Sequence, residues 1–124
     1  MSQENELPPW LKEQISRLQQ LQQNLQAIML QKQQVELEIV ETDRALEELN
    51  KTTESDSIYK AAGPLLIKSN KDTVGKELAE RKELANTRVL VLGKQESRVK
   101  ENLKEVENKI NQMIKGAQQP APSQ

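Results

Sequence analysis

Apolar residues recur in steps of three and four along two long stretches of this chain, and this spacing constrains the fold more than any other feature. Because an α-helix has 3.6 residues per turn, such spacing places the apolar side chains on one helical face. The two stretches predict helix 1 over residues 10–51, roughly 60 Å long at ~1.5 Å per residue, and helix 2 over residues 72–115. The predicted seam positions of helix 1 are Leu18, Leu21, Leu25, Ile28, Lys32, Val35, Ile39, Thr42, Leu46 and Leu49. Those of helix 2 are Val74, Leu78, Arg81, Ala85, Arg88, Leu92, Gln95, Val99, Leu103, Val106, Ile110 and Met113.

The composition excludes several kinds of chemistry. The 124 residues include no Phe and one each of Trp and Tyr, so the aromatic volume of a thick globular core is missing. With no His and no Cys there is no imidazole base, no thiolate nucleophile, no structural zinc site and no disulfide. We therefore expect no catalytic residue, no metal site and no cofactor, and we do not expect an enzyme.

The charge and the hydropathy of the chain limit the kinds of partner that we expect. The net charge is −1, from 18 basic and 19 acidic residues without a basic block, so nucleic acid is not an expected partner. No run approaches the ~20 apolar residues of a membrane span, and no N-terminal stretch resembles a signal peptide. The sequence thus predicts a soluble, cytoplasmic protein without a membrane partner.

The segment between the two helices differs from them in composition and in the spacing of its apolar residues. Residues 57–69 contain two short runs with β-branched and aromatic residues on either side of Gly63 and Pro64, which predicts a β-hairpin. Two helices of nearly equal length around a compact turn should fold back on each other. The expected fold class is therefore mainly α, a long antiparallel two-helix coiled coil with a central β-hairpin, in a single domain over residues 1–124.

The end of helix 2 is expected at Lys115. Gly116 fits the C′ position that follows a helix, where glycine is common. Residues 117–124 carry Pro120 and Pro122, and we expect them to form a disordered tail.

The predicted hairpin should not be stable alone. Strict alternation places Leu65 and Ile67 on one face and Leu66 on the other, with Ile58 and Tyr59 likewise divided, so both faces require burial. A lone two-stranded hairpin is marginal in water and leaves its edges open. We expect hairpins of several chains to pair into a β-barrel platform from which the helical pairs project. The residues expected to mediate this assembly are Ile58, Tyr59, Gly63, Leu65, Leu66 and Ile67.

A second apolar cluster is expected at the other end of the helical pair, where both chain termini would lie. In one interpretation its residues close the last turns of the coiled coil. In the other they form an exposed interaction surface, to which methionine adds adaptability. The residues concerned are Leu7, Trp10, Leu11, Ile15, Leu18, Ile110, Met113 and Ile114.

The hairpin and helix 2 also carry a family resemblance over about residues 10–115. The residues that carry it are Ile58, Tyr59, Lys60, Gly63, Leu66, Ile67, Lys68, Glu77, Leu78, Arg81, Glu83, Arg88, Leu92, Lys94, Gln95 and Glu96. Their combination resembles the β-type subunit of archaeal prefoldin, and generic coiled coils lack its Tyr-Lys-x-x-Gly hairpin. Pro64 departs from the polar residue expected after Gly63, which leaves the turn type open.

The resemblance implies an ATP-independent holding chaperone. It implies a hexamer of two α-type and four β-type subunits, with a double β-barrel platform and six coiled-coil arms. By similarity, the arm tips capture unfolded polypeptides and deliver them to a group II chaperonin, which would make the apolar cluster at the tip the client-binding surface. The alternative is a structural coiled-coil scaffold or tether that spaces folded partners and does not capture unfolded chains.

Overall fold

The computed structural model describes residues 7–118 and contains two long helices with a two-stranded antiparallel sheet between them. The fold class expected from the sequence is confirmed: the chain is mainly helical, with a single hairpin between the helices. The element bounds lie within about two residues of the predicted ones, except at the end of the second helix. The elements are α1 Pro9–Asn50, β1 Ile58–Ala62, β2 Leu65–Ser69 and α2 Lys71–Gln118.

The described chain divides into two compact units. Within the described residues, unit 1 combines residues 7–29 with residues 94–118, and unit 2 is continuous from Leu30 to Gly93. The single domain over residues 1–124 that the sequence predicts stays a prediction.

Local hydrogen bonds define both ends of α1. Pro9 begins the helix, where its missing N–H costs nothing, and the carbonyl of Pro8 accepts from the N–H groups of Leu11 and Lys12 at 3.0 Å each. At the other end, the hydroxyl of Thr52 donates to the carbonyl of Leu49 at 2.6 Å. This bond occupies one of the carbonyls that a helix leaves open in its last turn.

The start of α2 is capped by a side chain. The Oδ1 atom of Asn70 accepts from the backbone N–H of Thr73 at 2.8 Å, which satisfies one of the N–H groups that the first turn of a helix leaves open. Asp72 lies in the first turn, where a negative charge complements the helix dipole. The ammonium of Lys71 also donates to the carbonyl of Thr52 at 2.8 Å, so the start of α2 is held to the segment that follows α1.

The predicted end of α2 at Lys115 is wrong. The helix continues through Gly116 to Gln118, and Gly116 does not have the positive φ of a C′ glycine. Because Ala117 and Gln118 are good helix formers and the next proline is Pro120, nothing in the sequence stops the helix at Gly116. Residues 119–124 of the predicted disordered tail lie outside the described residues.

In unit 2 the two helices run antiparallel. Asp43 and Lys82 form an ion pair at 2.5 Å. Further along α1, Leu49 lies near Gly75, where an added Cβ atom would be 3.5 Å from Cδ2 of Leu49. Higher residue numbers on α1 therefore pair with lower residue numbers on α2, as in an antiparallel arrangement. The residues buried in this unit are Val35, Thr42, Leu49, Ala85 and Leu92. In unit 1 the buried residues are Leu11, Leu103 and Val106.

The seam of α1 follows the predicted positions, whereas that of α2 shifts at three of them. Every predicted seam residue of α1 is buried or half-buried. In α2, Arg81, Arg88 and Gln95 are exposed, and each following residue is half-buried instead, namely Lys82, Val89 and Glu96. Steps of three and four remain after the shift, and the two guanidinium groups stay in water, where burying them unpaired would be costly. The interpretation of these three residues as polar seam positions is therefore wrong.

Candidate assembly and binding surfaces

The register of the hairpin divides its side chains between two faces. Ile58 lies opposite Ser69, Lys60 opposite Ile67 and Ala62 opposite Leu65, and because paired residues point the same way, these six share one face. Tyr59 lies opposite Lys68 and Ala61 opposite Leu66, and these form the other face. The division of the large apolar side chains between two faces is as predicted. We call the first set the Lys60 face and the second set the Tyr59 face.

Both faces of the hairpin present apolar side chains to solvent. Ile58 is half-buried, whereas the other four large apolar residues are between 51% and 73% exposed in the single chain. Exposed apolar area of this kind on a small sheet is typical of an interaction surface. The four residues are Tyr59, Leu65, Leu66 and Ile67.

The turn at the tip of the hairpin explains both Gly63 and Pro64. Gly63 has a φ of 58° and the flanking residues Ala62 and Leu65 pair directly, so the loop has two residues. Proline fixes its own φ near −65°. A positive φ followed by a negative one is the pattern of a type II′ turn, which matches the twist of the strands in a tight hairpin. The proline therefore suits this turn.

The edges of the sheet are open. The sheet has two strands, so within residues 7–118 each strand pairs on one side only. The N–H and C=O groups of the outer edges can then accept a further strand, which is the usual route by which sheets join between chains. Open edges and exposed apolar faces together make the hairpin a candidate surface for association.

An ion pair joins the hairpin to α2. The ammonium of Lys60 lies 2.7 Å from Oε2 of Glu77, and both side chains are a little less than half exposed. Since Lys60 stands on the face that carries Leu65 and Ile67, this face is the one turned towards Glu77. The family resemblance includes both residues, but nothing in the spacing of the sequence predicts that they meet.

The apolar cluster near the ends of the helices contains residues of different exposure. Leu7 and Trp10 are exposed, Ile15, Leu18, Ile110, Met113 and Ile114 are half-buried, and Leu11 is buried at 8% exposure. All of these residues belong to unit 1, which brings the start of α1 and the end of α2 into one compact unit. Leu11 thus serves to close the helical pair, while Leu7 and Trp10 are accessible to a partner.

Further exposed aliphatic side chains occur away from both surfaces. They lie outside the predicted seams of the two helices and belong to neither predicted surface. A count of apolar residues off the three-and-four spacing would have found them. In unit 2 they are Leu30, Leu37, Val40, Leu84, Leu90 and Val91.

Among the described residues, no three Asp or Glu side chains come together in a way that could hold a metal ion. No helix within the same residues is both long and apolar enough to cross a membrane.

Comparison with known proteins agrees with this architecture. A family model described as a prefoldin subunit matches residues 12–117. Prefoldin subunit beta of Archaeoglobus fulgidus is 41% identical over 109 residues, which cover 88% of this chain and 94% of that protein. Prefoldin subunit beta of Caldivirga maquilingensis is 38% identical over 113 residues, covering 91% of this chain and 93% of that protein.

Two solved structures have the same fold. The crystal structure of the prefoldin beta subunit from Thermococcus strain KS-1 is 34% identical, with a TM-score of 0.78 over 94% of this chain and 98% of that one. The beta2 subunit from the same strain is 25% identical, with a TM-score of 0.66 over 73% of this chain and 97% of that one. From the matched residues, the identity along most of the chain and the shared fold, this chain belongs to the prefoldin subunit family of chaperones.

Proposed function

We propose that this chain is the β-type subunit of an ATP-independent holding chaperone, which captures unfolded polypeptides at its helical tips and passes them to a group II chaperonin. The observation that carries the proposal is the single hairpin, whose two apolar faces are exposed and whose edges are open. The cytoplasm, where new chains emerge from ribosomes, is the proposed compartment.

Membership of the prefoldin subunit family implies an oligomeric assembly. In the proposal, two α-type and four β-type subunits join through their hairpins into a platform. Burial of Leu65, Leu66, Ile67 and Tyr59 supplies the driving force, at about 1.5–3 kcal/mol for each large apolar side chain that becomes fully buried. Ile58 and Gly63 complete the assembly set, the first by packing at the base of the hairpin and the second by forming its turn.

Client capture is assigned to the apolar cluster of unit 1. Leu7 and Trp10 are the accessible contacts, and the half-buried Ile15, Leu18, Ile110, Met113 and Ile114 support them. Each tip offers a small area, so a single contact is weak and reversible. Several arms acting on one client raise the overall affinity through effective concentration.

Capture and release in this proposal use no nucleotide. The chain has two Gly-Lys pairs, Gly75-Lys76 and Gly93-Lys94, and both lie inside α2, where the backbone N–H groups serve the helix. A phosphate-binding loop instead leaves its N–H groups free for the ligand. Release then needs only a competing surface, which the chaperonin would provide.

The test is protection of an unfolded protein from aggregation. A chemically unfolded protein is diluted into the complex of this chain with an α-type companion, without ATP, and light scattering is followed. We expect scattering to be delayed, and the client to leave the complex when a group II chaperonin is added. Protection no better than that of an inert protein at equal mass would contradict the proposal, and stable binding of one folded partner instead would favour the scaffold.

A further inference from the structure

The hairpin is attached to the helices by short connections, so something must set its orientation. Residues 51–57 connect α1 to β1, and one residue, Asn70, separates β2 from α2. The two faces of the hairpin are both apolar, so burial alone does not decide which face turns towards α2. A polar contact between one face and α2 can determine which face turns towards the helix.

We propose that the ion pair between Lys60 and Glu77 is this contact, and that it is a determinant of assembly. It holds the Lys60 face towards α2 and leaves the Tyr59 face, with Leu66, pointing away. The inference rests on the proposed function, because it assumes that hairpins assemble the complex. It goes further in naming a pair of charged residues that positions the assembly surface before the subunits meet.

The geometry of the pair supports this role. The two charged atoms are 2.7 Å apart, and the side chains are 46% and 44% exposed. Lys60 is the middle residue of β1, and Glu77 lies about two turns into α2, so the contact acts away from the covalent connections. A half-exposed ion pair is worth little to the stability of one chain. Only a small difference in free energy is needed to favour one orientation of the hairpin, however, and each subunit of an oligomer contributes that difference.

The experiment uses the full chain with its α-type companion and four forms of the subunit. These are the unsubstituted chain, Lys60→Glu, Glu77→Lys and the double exchange of both. The measured quantity is the protein concentration at which half of the complex dissociates, followed by native mass spectrometry. We expect each single reversal to raise this concentration about tenfold, because two like charges replace an attractive pair. We expect the double exchange to restore it to within about threefold of the unsubstituted chain.

A second ion pair in the same unit provides a matched control. Asp43 and Lys82 are 2.5 Å apart and 43% and 39% exposed, but this pair joins α1 to α2, and neither residue belongs to the hairpin. Reversing Lys82 alone should leave the dissociation concentration within about twofold. Helix content, measured by circular dichroism, confirms that every variant is folded.

The neutral variants Lys60→Gln and Glu77→Gln guard against effects of the reversed charges on folding. Each should weaken assembly about two- to fivefold, and this difference should shrink at 1 M salt, where charges are screened within about 3 Å. A merely structural side chain would not show that salt dependence. The inference is overturned if the single reversals assemble normally, or if the double exchange fails to restore assembly. If the unsubstituted chain does not assemble with its companion, the proposed function itself fails.

Discussion

The hydroxyl of Thr42 donates to the carbonyl of Glu38 one turn earlier in α1, at 2.7 Å. Thr42 is 4% exposed, so this polar group lies in the buried seam of unit 2 and is satisfied within its own helix. A carbonyl that already serves the helix gains little from a second donor, and such back-bonding adds little to helix stability. The hydroxyl therefore occupies a buried position without an evident stabilising role.

Replacement of Thr42 by Val should raise the free energy of unfolding by about 0.5–1 kcal/mol, because a methyl group of similar size replaces the buried hydroxyl. The measurement is chemical unfolding at fixed protein concentration, followed by circular dichroism. Thr87 makes the same bond to Glu83 at 3.1 Å but is exposed, so Thr87→Val should change stability by less than about 0.5 kcal/mol. A loss of stability in Thr42→Val would contradict this account and show that the bond to Glu38 stabilises the helix.

Gly93 should tolerate alanine with a gain in stability. It lies inside α2, its φ is not positive, and a Cβ atom there would meet nothing within 4 Å. Gly93→Ala should therefore stabilise the helix by about 1 kcal/mol, measured by thermal unfolding. If the variant is more stable but captures clients poorly, the glycine serves a bend that the function requires.

Gly63 should not tolerate alanine. Its φ of 58° belongs to the left-handed region, where an L side chain costs about 1–2 kcal/mol. Gly63→Ala should weaken assembly measured by native mass spectrometry while the helix content is unchanged. Normal assembly would mean that the turn can take another form without cost.

A charged residue in place of Leu66 should impair assembly without affecting the folding of the single chain. Leu66 is 73% exposed in the single chain, so Leu66→Lys should leave the helix content unchanged. Burying an unpaired ammonium in the platform is costly, and we expect the complex to dissociate. Leu37→Lys is the control, since Leu37 is also exposed but lies on α1, outside the hairpin. Equal effects of the two substitutions would argue against the hairpin as the assembly surface.

Substitutions of two neighbouring residues at the start of α1 should affect client capture and stability separately. Trp10 is 39% exposed and Leu11 is 8% exposed. Trp10→Ser should reduce protection of an unfolded client at least severalfold with little change in the unfolding midpoint. Leu11→Ala should instead destabilise the chain by about 2 kcal/mol through the loss of buried contacts. The contrast fails if both variants protect clients as well as the unsubstituted chain.

The periodicity of the apolar residues was sufficient to predict both helices and the seam of α1, because burial along a helix follows its own repeat. The alternation in residues 58–67 likewise predicted the two faces of the hairpin. The seam shift at Arg81, Arg88 and Gln95 could not be predicted in this way, since a shift of one residue keeps the same spacing. At Arg81 and Arg88 the cost of burying a guanidinium favours the shifted seam. The prediction that α2 ends at Lys115 was wrong because glycine at position 116 permits a C′ conformation without requiring it.

The functional surfaces could likewise be predicted from the sequence only in part. Exposure of the hairpin follows from its alternation, so its residues were found from the sequence. The ion pair between Lys60 and Glu77 depends on the angle between a strand and a helix, which no local pattern encodes. Among the tip residues, Trp10 and Leu11 are adjacent in sequence, and their difference in exposure follows from the side of the helix that each occupies.

Photo-crosslinking to an unfolded client tests the central claim most directly. A photoreactive residue is placed at position 10, at position 37 or at position 66 of the full chain, each complex is assembled with the α-type companion, and crosslinks to a labelled unfolded client are compared. We predict strong crosslinking from position 10, little from position 37, and crosslinks from position 66 to sister subunits and none to the client. Equal client crosslinking from positions 10 and 37, or none from position 10, would contradict capture at the tips.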